Sequence, residues 1–263
     1  MSRFFITGGA GYIGSHTAKL LAGAGREVIA YDKLSRGHRD LVRWGPLIEA
    51  DIRDTSTLRE AVSRFKPGAV IRFAGLAYVR ESVTNPQLYF EHNVTGTLSL
   101  LKAMASIQMN NLVVSSTCAV YGQPAEVPVS EETSPRPLNP YGQSKLMMER
   151  ICEDFRAAQG LHFTALRYFN ACGCDPAGET GERHDPEPHL IPRALMAAEG
   201  DLAELEVFGL DYPAPDGTCI RDYIHVDDLA GGAYGGRPST HAGRLLRRPQ
   251  PGKRQGCECA RDH

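Results

Sequence analysis

The sequence predicts an α/β protein built on a doubly wound parallel sheet of the Rossmann type. Two observations carry this prediction. Short apolar runs alternate with stretches of helical periodicity over most of the chain, which is typical of a parallel sheet covered by helices on both faces. In addition, the first apolar run, residues 4–6, passes through a glycine-rich turn into a helical pattern.

The glycine-rich turn contains Gly8, Gly11 and Gly14 and predicts a dinucleotide-binding site. Glycines permit positive φ angles and let backbone N–H groups approach phosphate oxygens, while the following helix N-terminus favours a pyrophosphate. A second predicted strand, 27–31, ends at Asp32, eighteen residues beyond Gly14. An acidic side chain there accepts hydrogen bonds from an adenosine ribose, which favours NAD over its 2′-phosphorylated relative. The competing interpretation is a tight turn without a ligand.

The alternation of strands and helices continues beyond this first unit. Further strands are predicted at 47–50, 69–74 and 111–116, and helices at 56–65 and 86–109. Ligands of such sheets lie beyond the carboxyl ends of the strands. We therefore expect Asp32, Asp51 and residues 73–75 to border one crevice. For Asp51, a role in a turn or helix cap is an equally good interpretation.

A proline-rich segment precedes the last helix predicted for the sheet. Five prolines between residues 121 and 140 predict a rigid loop, and a helical pattern then runs from Tyr141 to about residue 159. Tyr141 and Lys145 are four residues apart, so they lie on one helix face. Taken alone, such a pair is more typical of a solvated surface. Thr117, at the end of a predicted strand, adds a hydroxyl group, and the three side chains together indicate a site.

The composition is ordinary for a globular protein. The chain has 263 residues and a formal net charge of -2, so it lacks the basic excess typical of proteins that bind nucleic acids or membrane surfaces. Seven cysteines, an odd count, favour reduced thiols and a cytoplasmic location. The C-x-C pairs at 172/174 and 257/259 are too small to define a metal site, so none is predicted. No secretion signal or membrane span is predicted.

Several longer motifs resemble the extended short-chain dehydrogenase/reductase family, and most closely its UDP-glucose 4-epimerases. They span residues 1 to about 230 and include 7–16, 51–52, 73–76, 93–94, 115–122, 141–145, 166–170 and 216–226. The resemblance implies a Rossmann-type NAD-binding domain at 1–165. It implies a small, incomplete C-terminal substrate lobe at 166–231, from which the chain crosses back to the sheet. A homodimer through the helices that begin near Pro86 and Asn139 is implied as well.

The resemblance implies interconversion of UDP-glucose and UDP-galactose through a 4-keto intermediate, with NAD taking and returning the hydride. Tyr141 resembles the catalytic base, and Lys145 with the positive nicotinamide ring is expected to lower its pKa from about 10. Thr117 is expected to hydrogen-bond the reacting oxygen. Cys118 and Ala119 stand where sugar-nucleotide dehydratases carry an acidic pair, which argues against elimination. The alternatives are a UDP-pentose 4-epimerase and a truncated, catalytically silent NAD-binding remnant.

The resemblance also assigns the binding residues. The NAD site draws on the strand ends and the catalytic helix: Gly8, Gly11, Tyr12, Ile13, Gly14, Asp32, Asp51, Ile52, Phe73, Ala74, Gly75, Asn93, Thr117, Tyr141, Lys145 and Phe169. UDP-sugar contacts are expected from Asn170, Leu190 and Arg221. Arginine suits a diphosphate because its planar fork donates two hydrogen bonds at once. Without the motif, a surface ion pair with Asp222 is the better interpretation of Arg221.

Two features depart from the family pattern. Arg72 stands where these epimerases usually have histidine. Arg80 stands where they have glycine, which predicts strain if that position requires a positive φ. Residues 232–263 carry seven Lys or Arg against two acids and few large aliphatic side chains, which predicts a disordered tail. We interpret this tail as the product of a shifted reading frame, and a basic nucleic-acid arm is the alternative.

Overall fold

The structure, a computed structural model, describes residues 2–207, 209–212 and 214–235. Its strands are β1 (Arg3–Thr7), β2 (Glu27–Asp32), β3 (Leu47–Glu49), β4 (Ala69–Arg72), β5 (Asn111–Ser115), β6 (His162–Leu166), β7 (Asn170–Cys172) and β8 (Tyr223–His225). Its helices are α1 (Tyr12–Gly23), α2 (Thr55–Phe65), α3 (Val79–Thr84), α4 (Pro86–Tyr89), α5 (Gly96–Ala105), α6 (Pro140–Gln159), α7 (Leu190–Glu199) and α8 (Val226–Tyr234). The part of the predicted tail beyond residue 235 lies outside the described residues.

Six strands, joined by five parallel pairings, form one sheet in the order β3-β2-β1-β4-β5-β6. The chain starts in the middle of this sheet, fills one half with β2 and β3, and then returns to the other side of β1 with β4. Strand order therefore reverses between β1 and β4, which is where ligands bind in doubly wound sheets. The predicted fold class is confirmed.

Alternate side chains of each strand point into two separate cores, one on each face of the sheet. On one face Phe5 packs with Leu58 of α2, Leu100 of α5 and Met148 of α6. On the other face the buried cluster contains the side chains Ile6, Ala18, Leu21, Ile71, Leu229 and Ala233. Helices α1 and α8 thus cover the second face, so the chain returns to the sheet after β8.

Three predicted boundaries are wrong for physical reasons. The helix predicted over 86–109 is interrupted by a π-helical segment, Phe90–Thr95, before α5 begins. Strand β4 ends at Arg72 because the backbone N–H groups of Phe73 and Ala74 both donate to the carbonyl oxygen of Thr7. Residues 232–234, assigned to the tail, form the end of α8, where Ala233 is buried and the Tyr234 ring packs edge-on against Phe4.

Strand β6 and the small β7–β8 sheet are absent from the sequence prediction. Strand β6 alternates between exposed and half-buried residues, so it lacks the continuous apolar run that marks the central strands. Strands β7 and β8 are three residues each and pair in parallel across a separation of about fifty residues. Short strands of this kind carry too few residues to show a periodicity.

Candidate functional site

A crevice of about 590 Å³ opens at the carboxyl ends of β1, β2, β4 and β5, where the strand order reverses. Its volume falls in the range of small-molecule and cofactor sites, roughly 300–1,000 Å³. Most of the predicted site residues line it: Gly8, Gly11, Tyr12, Ile13, Gly14, Asp32, Ile52, Phe73, Ala74, Gly75, Thr117, Tyr141, Lys145, Phe169 and Asn170. Residues at the carboxyl ends of the strands and residues of helix α6 therefore line the same crevice.

The glycine turn forms a cradle with no room for side chains. Gly8 has a φ of 76°, and a Cβ atom there would lie 2.4 Å from the backbone nitrogen of Ala74. A Cβ atom on Gly14 would lie 2.0 Å from the carbonyl oxygen of Gly8. Helix α1 starts directly after this turn, and its N-cap is Gly11, which has no side chain to cap the first N–H groups. The cradle thus fits a phosphate group held by backbone amides, as a dinucleotide requires.

Asp32 stands at the far edge of this cradle, at the end of β2. Its carboxylate accepts hydrogen bonds from the backbone N–H of Ala10 at 3.1 Å and of Leu34 at 2.8 Å, which fixes its orientation. Burial raises the pKa of this carboxyl, and the two backbone hydrogen bonds partly oppose that change. The cradle and the oriented carboxylate together match the phosphate and ribose ends of an adenosine dinucleotide.

Thr117, Tyr141 and Lys145 lie together on the opposite wall. Helix α6 presents Tyr141 and Lys145 one turn apart, and it starts at Asn139, whose side chain accepts a hydrogen bond from the Gly142 N–H at 2.9 Å. Thr117 follows β5, and its hydroxyl interacts with the Tyr141 phenol. All three catalytic candidates are nearly buried, with exposed fractions of 5%, 9% and 3% respectively.

Burial dominates the ionisation of this group. It raises the pKa of Tyr141, and the interaction with Thr117 only partly opposes that change. Burial and, to a lesser extent, the positive charge of Arg72 lower the pKa of Lys145 to about 7. The Lys145 ammonium lies 5.9 Å from the Tyr141 ring centroid and donates to the carbonyl oxygen of Ser115 at 2.7 Å. The net effect of the protein's own residues is a raised pKa of Tyr141, and the expected lowering by Lys145 together with the nicotinamide ring stays a prediction.

Arg72 and Arg80, the two departures from the family pattern, have different surroundings. The Arg72 side chain is fully buried, and one terminal nitrogen donates to the carbonyl oxygens of His92 at 3.2 Å and Asn93 at 3.1 Å. Its Nε atom has no hydrogen-bond partner among the residues that the structure describes. Arg80 lies at the exposed start of α3 and is not in the left-handed region, so no strain arises there.

Four predicted site residues do not line the crevice. The Asp51 carboxylate pairs instead with Lys33 and Arg53, and the Arg53 hydrogen bond holds its pKa well below the ordinary value. Asn93 is fully buried behind the wall, where its amide bonds the backbone of Leu76. Leu190 and Arg221 are exposed to solvent and do not belong to the crevice lining.

Other lining residues were not anticipated. Many of them come from three segments that surround the crevice mouth: Lys33, Ser35, Arg36 and Gly37 after β2, Ala77, Tyr78, Val79 and Arg80 at the start of α3, and Glu182, His184, Pro188 and His189 before α7. The order Glu-x-His-x-x-Glu-x-His at 182–189 is the sequence signal that could have drawn attention to the last segment.

Among the helices that the structure describes, none combines the length and the hydropathy that spanning a bilayer requires.

Comparisons with known proteins agree with this geometry. A model of the NAD dependent epimerase/dehydratase family matches residues 4–234. A UDP-glucose 4-epimerase of Rhizobium meliloti (strain 1021) is 48% identical over 229 residues, which are 87% of this chain and 70% of that relative.

Solved structures are similar as well. A UDP-glucose 4-epimerase from Brucella ovis, in complex with NAD, superposes with a TM-score of 0.87 at 53% identity, covering 89% of this chain and 72% of that one. A UDP-glucose 4-epimerase from Bifidobacterium longum, in complex with NAD+ and UDP, gives a TM-score of 0.85 at 37% identity, covering 89% and 73%. The resemblance predicted from the motifs is confirmed.

Proposed function

Because the chain belongs to the NAD dependent epimerase/dehydratase family, we propose that it interconverts UDP-glucose and UDP-galactose by oxidation and reduction at carbon 4 of the sugar. The observation that carries this proposal is the buried group of Thr117, Tyr141 and Lys145, which faces the glycine cradle across one crevice. The identity of 48% to a UDP-glucose 4-epimerase supports the same activity. This protein is accordingly an isomerase that uses NAD.

The residues that would hold NAD are those of the cradle and its edges. Gly8 and Gly14 leave space for the pyrophosphate at the start of α1, and Asp32 offers its carboxylate to the adenosine ribose. Lys145 lies near the place where the nicotinamide ribose would be held. Bound NAD would supply the hydride acceptor and donor that oxidation and reduction at carbon 4 of the sugar require. Asp51 and Asn93 would support the NAD site indirectly, by positioning the lining residues Ile52 and Leu76, because their own side chains do not line the crevice.

Tyr141 is proposed to take the proton of the sugar 4-hydroxyl and to return it later. In its buried position the phenol favours the neutral form, so proton transfer requires a nearby positive charge. Lys145, whose pKa is about 7, is poised to carry that charge or to release it near neutral pH. The Thr117 hydroxyl both donates and accepts, so it is suited to pass the proton between the sugar oxygen and Tyr141.

The residues after Thr117 favour epimerisation over elimination. A dehydratase needs an acid and a base for the neighbouring carbon, whereas Cys118 and Ala119 offer only a thiol. Burial raises the pKa of the Cys118 thiol, so it stays neutral and is a poor proton acceptor. Oxidation and return of one hydride needs neither group.

Substrate contacts are proposed for Asn170, Leu190 and Arg221. Asn170 already lines the crevice, and its amide donates to the carbonyl oxygen of Asp222 at 2.8 Å, which links it to the arginine-bearing segment. Arg221 is close enough to Cys118 to lower the pKa of that thiol, so its charge reaches the crevice mouth. A diphosphate at the mouth would be the partner that this charge suits.

The test is conversion of UDP-galactose in the presence of NAD, with the UDP-sugars separated by chromatography. We expect UDP-glucose to accumulate with the unaltered chain and to be undetectable with Tyr141→Phe, because the phenol is the proposed proton acceptor. Tyr212→Phe is the matched control, since that side chain is exposed and does not line the crevice. Equal conversion by the Tyr141→Phe variant, or no conversion by a folded protein that binds NAD, would contradict the proposal.

The same family resemblance supports a homodimer and a cytoplasmic location. The described cysteines are all free, which suits a reducing compartment. Helix α6 leaves the Met147 side chain 37% exposed on the side away from the sheet, where a second copy would cover it. Light scattering coupled to gel filtration tests the dimer: a mass of one chain at micromolar concentration would refute it.

A further inference from the structure

Four potential metal ligands converge at the crevice mouth in the segment that precedes α7. The donor atoms of Glu182, His184, Glu187 and His189 all lie within 4.8 Å of one another. Three of these residues also line the crevice, and the two histidine rings stand edge-on to the Tyr78 ring at 6.1 Å and 6.2 Å. The group is thus built at the boundary between the segment 182–189 and the segment before α3.

The spacing of the donor atoms resembles that of an empty tetrahedral site. Ligands at about 2.0–2.1 Å from a zinc ion in tetrahedral geometry are separated from one another by about 3.3–3.4 Å. Nδ1 of His184 lies 3.3 Å from a Glu182 oxygen and 3.6 Å from a Glu187 oxygen. Nδ1 of His189 lies 3.1 Å from the other Glu187 oxygen and 2.6 Å from Glu182. To hold one ion, the 2.6 Å separation must lengthen by less than 1 Å and the 3.1 Å separation by about 0.2 Å, and the widest separations, up to 4.8 Å, must shorten.

The burial of the group is a second, independent indication. The side chains of Glu182 and Glu187 are only 9% and 8% exposed, which is rare for carboxylates unless they are paired or bind a metal. Nδ1 of His184 is buried and has no hydrogen-bond partner among the described residues, although two carboxylates face it. Nδ1 of His184 thus faces both carboxylates, as a ligand atom around a shared ion would.

We propose that Glu182, His184, Glu187 and His189 bind one zinc ion. Two imidazole nitrogens and two carboxylate oxygens suit zinc, whereas calcium and magnesium prefer oxygen ligands alone. With four protein ligands the site is closed and structural. The ion fixes the segment 182–189 against Tyr78 and thereby shapes the crevice mouth. The competing arrangement is a set of ion pairs between protonated histidines and the two carboxylates.

The first experiment measures zinc in the full-length protein after dialysis against zinc and removal of the free ion. We expect one zinc per chain, and we expect the affinity to fall at least 100-fold in the double variant His184→Gln/His189→Gln. His162→Gln is the matched control, because that histidine is exposed on β6 and belongs to no cluster. Retention of one zinc by the double variant, or no zinc in the unaltered protein, would overturn the proposal.

Cobalt substitution distinguishes this site from coordination by cysteine, because thiolates are also common zinc ligands. We expect visible absorption bands of tetrahedral cobalt without the near-ultraviolet band of a thiolate ligand. A thiolate band that disappears in Cys172→Ser/Cys174→Ser would place the ion on the C-x-C pair and refute the assignment. If the double histidine variant does not fold, His189→Gln alone serves, because its side chain is 43% exposed. None of these measurements depends on epimerase activity, so they succeed or fail independently of the proposed function.

Discussion

Replacing Gly14 with alanine should damage both stability and NAD binding, and the structure allows the size of the effect to be worked out. The new Cβ atom would lie 2.0 Å from the carbonyl oxygen of Gly8, whereas real contacts of this kind are not shorter than 3.0 Å. The turn and α1 must therefore separate by at least 1.0 Å, which is the difference between these two distances. The backbone fixes the position of the Cβ atom, and the contacted oxygen is itself a backbone atom, so no side-chain rotation relieves the overlap.

The expected loss follows from two opposing contributions. Overpacking of this severity costs about 3 kcal/mol, at the upper end of the usual range. Alanine is a better helix former than glycine by about 1 kcal/mol, so the net loss in the free energy of unfolding is about 2 kcal/mol. For a chain of this size that lowers Tm by roughly 4–8 °C. Displacement of the amides that face the pyrophosphate should weaken NAD binding at least tenfold, or about 1.4 kcal/mol.

Urea unfolding and calorimetric titration with NAD measure the two effects. The control is Gly23→Ala in the same helix, where the added Cβ atom has no neighbour within 4 Å. That variant should be as stable as the unaltered protein or more stable by about 0.5 kcal/mol, with unchanged NAD affinity. If Gly14→Ala has the same free energy of unfolding and the same NAD affinity as Gly23→Ala, the description of the glycine turn as a close-packed phosphate cradle is wrong.

Two further predictions concern buried polar groups. Asp227→Ala should lower the free energy of unfolding by about 1–3 kcal/mol, because it removes the 2.7 Å contact to Nδ1 of the buried His16 that joins α8 to α1. Urea unfolding measures this loss, with the exposed-site variant Asp154→Ala as the control. Equal stability of the two variants would contradict the prediction. The second prediction concerns the buried Lys145, whose pKa is about 7 in the folded protein and about 10.4 in the unfolded chain. Between pH 7 and pH 10 the folded state therefore binds fewer protons at this side chain than the unfolded state does. The free energy of unfolding should therefore rise between pH 7 and pH 10, and this group contributes at most about 1.4 kcal/mol per pH unit. The rise should be smaller in Lys145→Met. If the free energy of unfolding changes equally with pH in both proteins, the assigned pKa is wrong.

The sequence was most informative where one local segment determines both structure and chemistry. The strand, the glycine turn and the following helix lie within the first 23 residues, and their order alone predicts the cradle. Tyr141 and Lys145 share a helix face because they are four residues apart, and that spacing holds in α6. Such features need no knowledge of what packs against them.

The features that were missed depend on interactions that neither residue spacing nor hydrophobic periodicity reveals. Asp51 follows β3 as predicted, but Arg53, two residues later, draws its carboxylate away from the crevice. The π-helical segment within 90–95 keeps the apolar spacing of a helix, so periodicity cannot reveal it. The segment 182–189 reaches the crevice only because it folds back over the loop after β2, where the carbonyl oxygen of Arg183 accepts a hydrogen bond from His38 at 2.9 Å.

Arg72 illustrates the same limit in the chemistry of the site. In the sequence it is an isolated departure from the family, 73 residues before Lys145. In the fold, a Cβ atom added to Gly75 would lie 3.6 Å from the Lys145 ammonium and 3.7 Å from an Arg72 nitrogen, so the two cations are at most about 7.3 Å apart. Both side chains are buried, and little solvent screens them from each other. A guanidinium stays charged under these conditions more readily than an ammonium does, so Lys145 is the group that yields its proton. The pKa of Lys145 is thus set partly by a residue whose effect only the packing reveals.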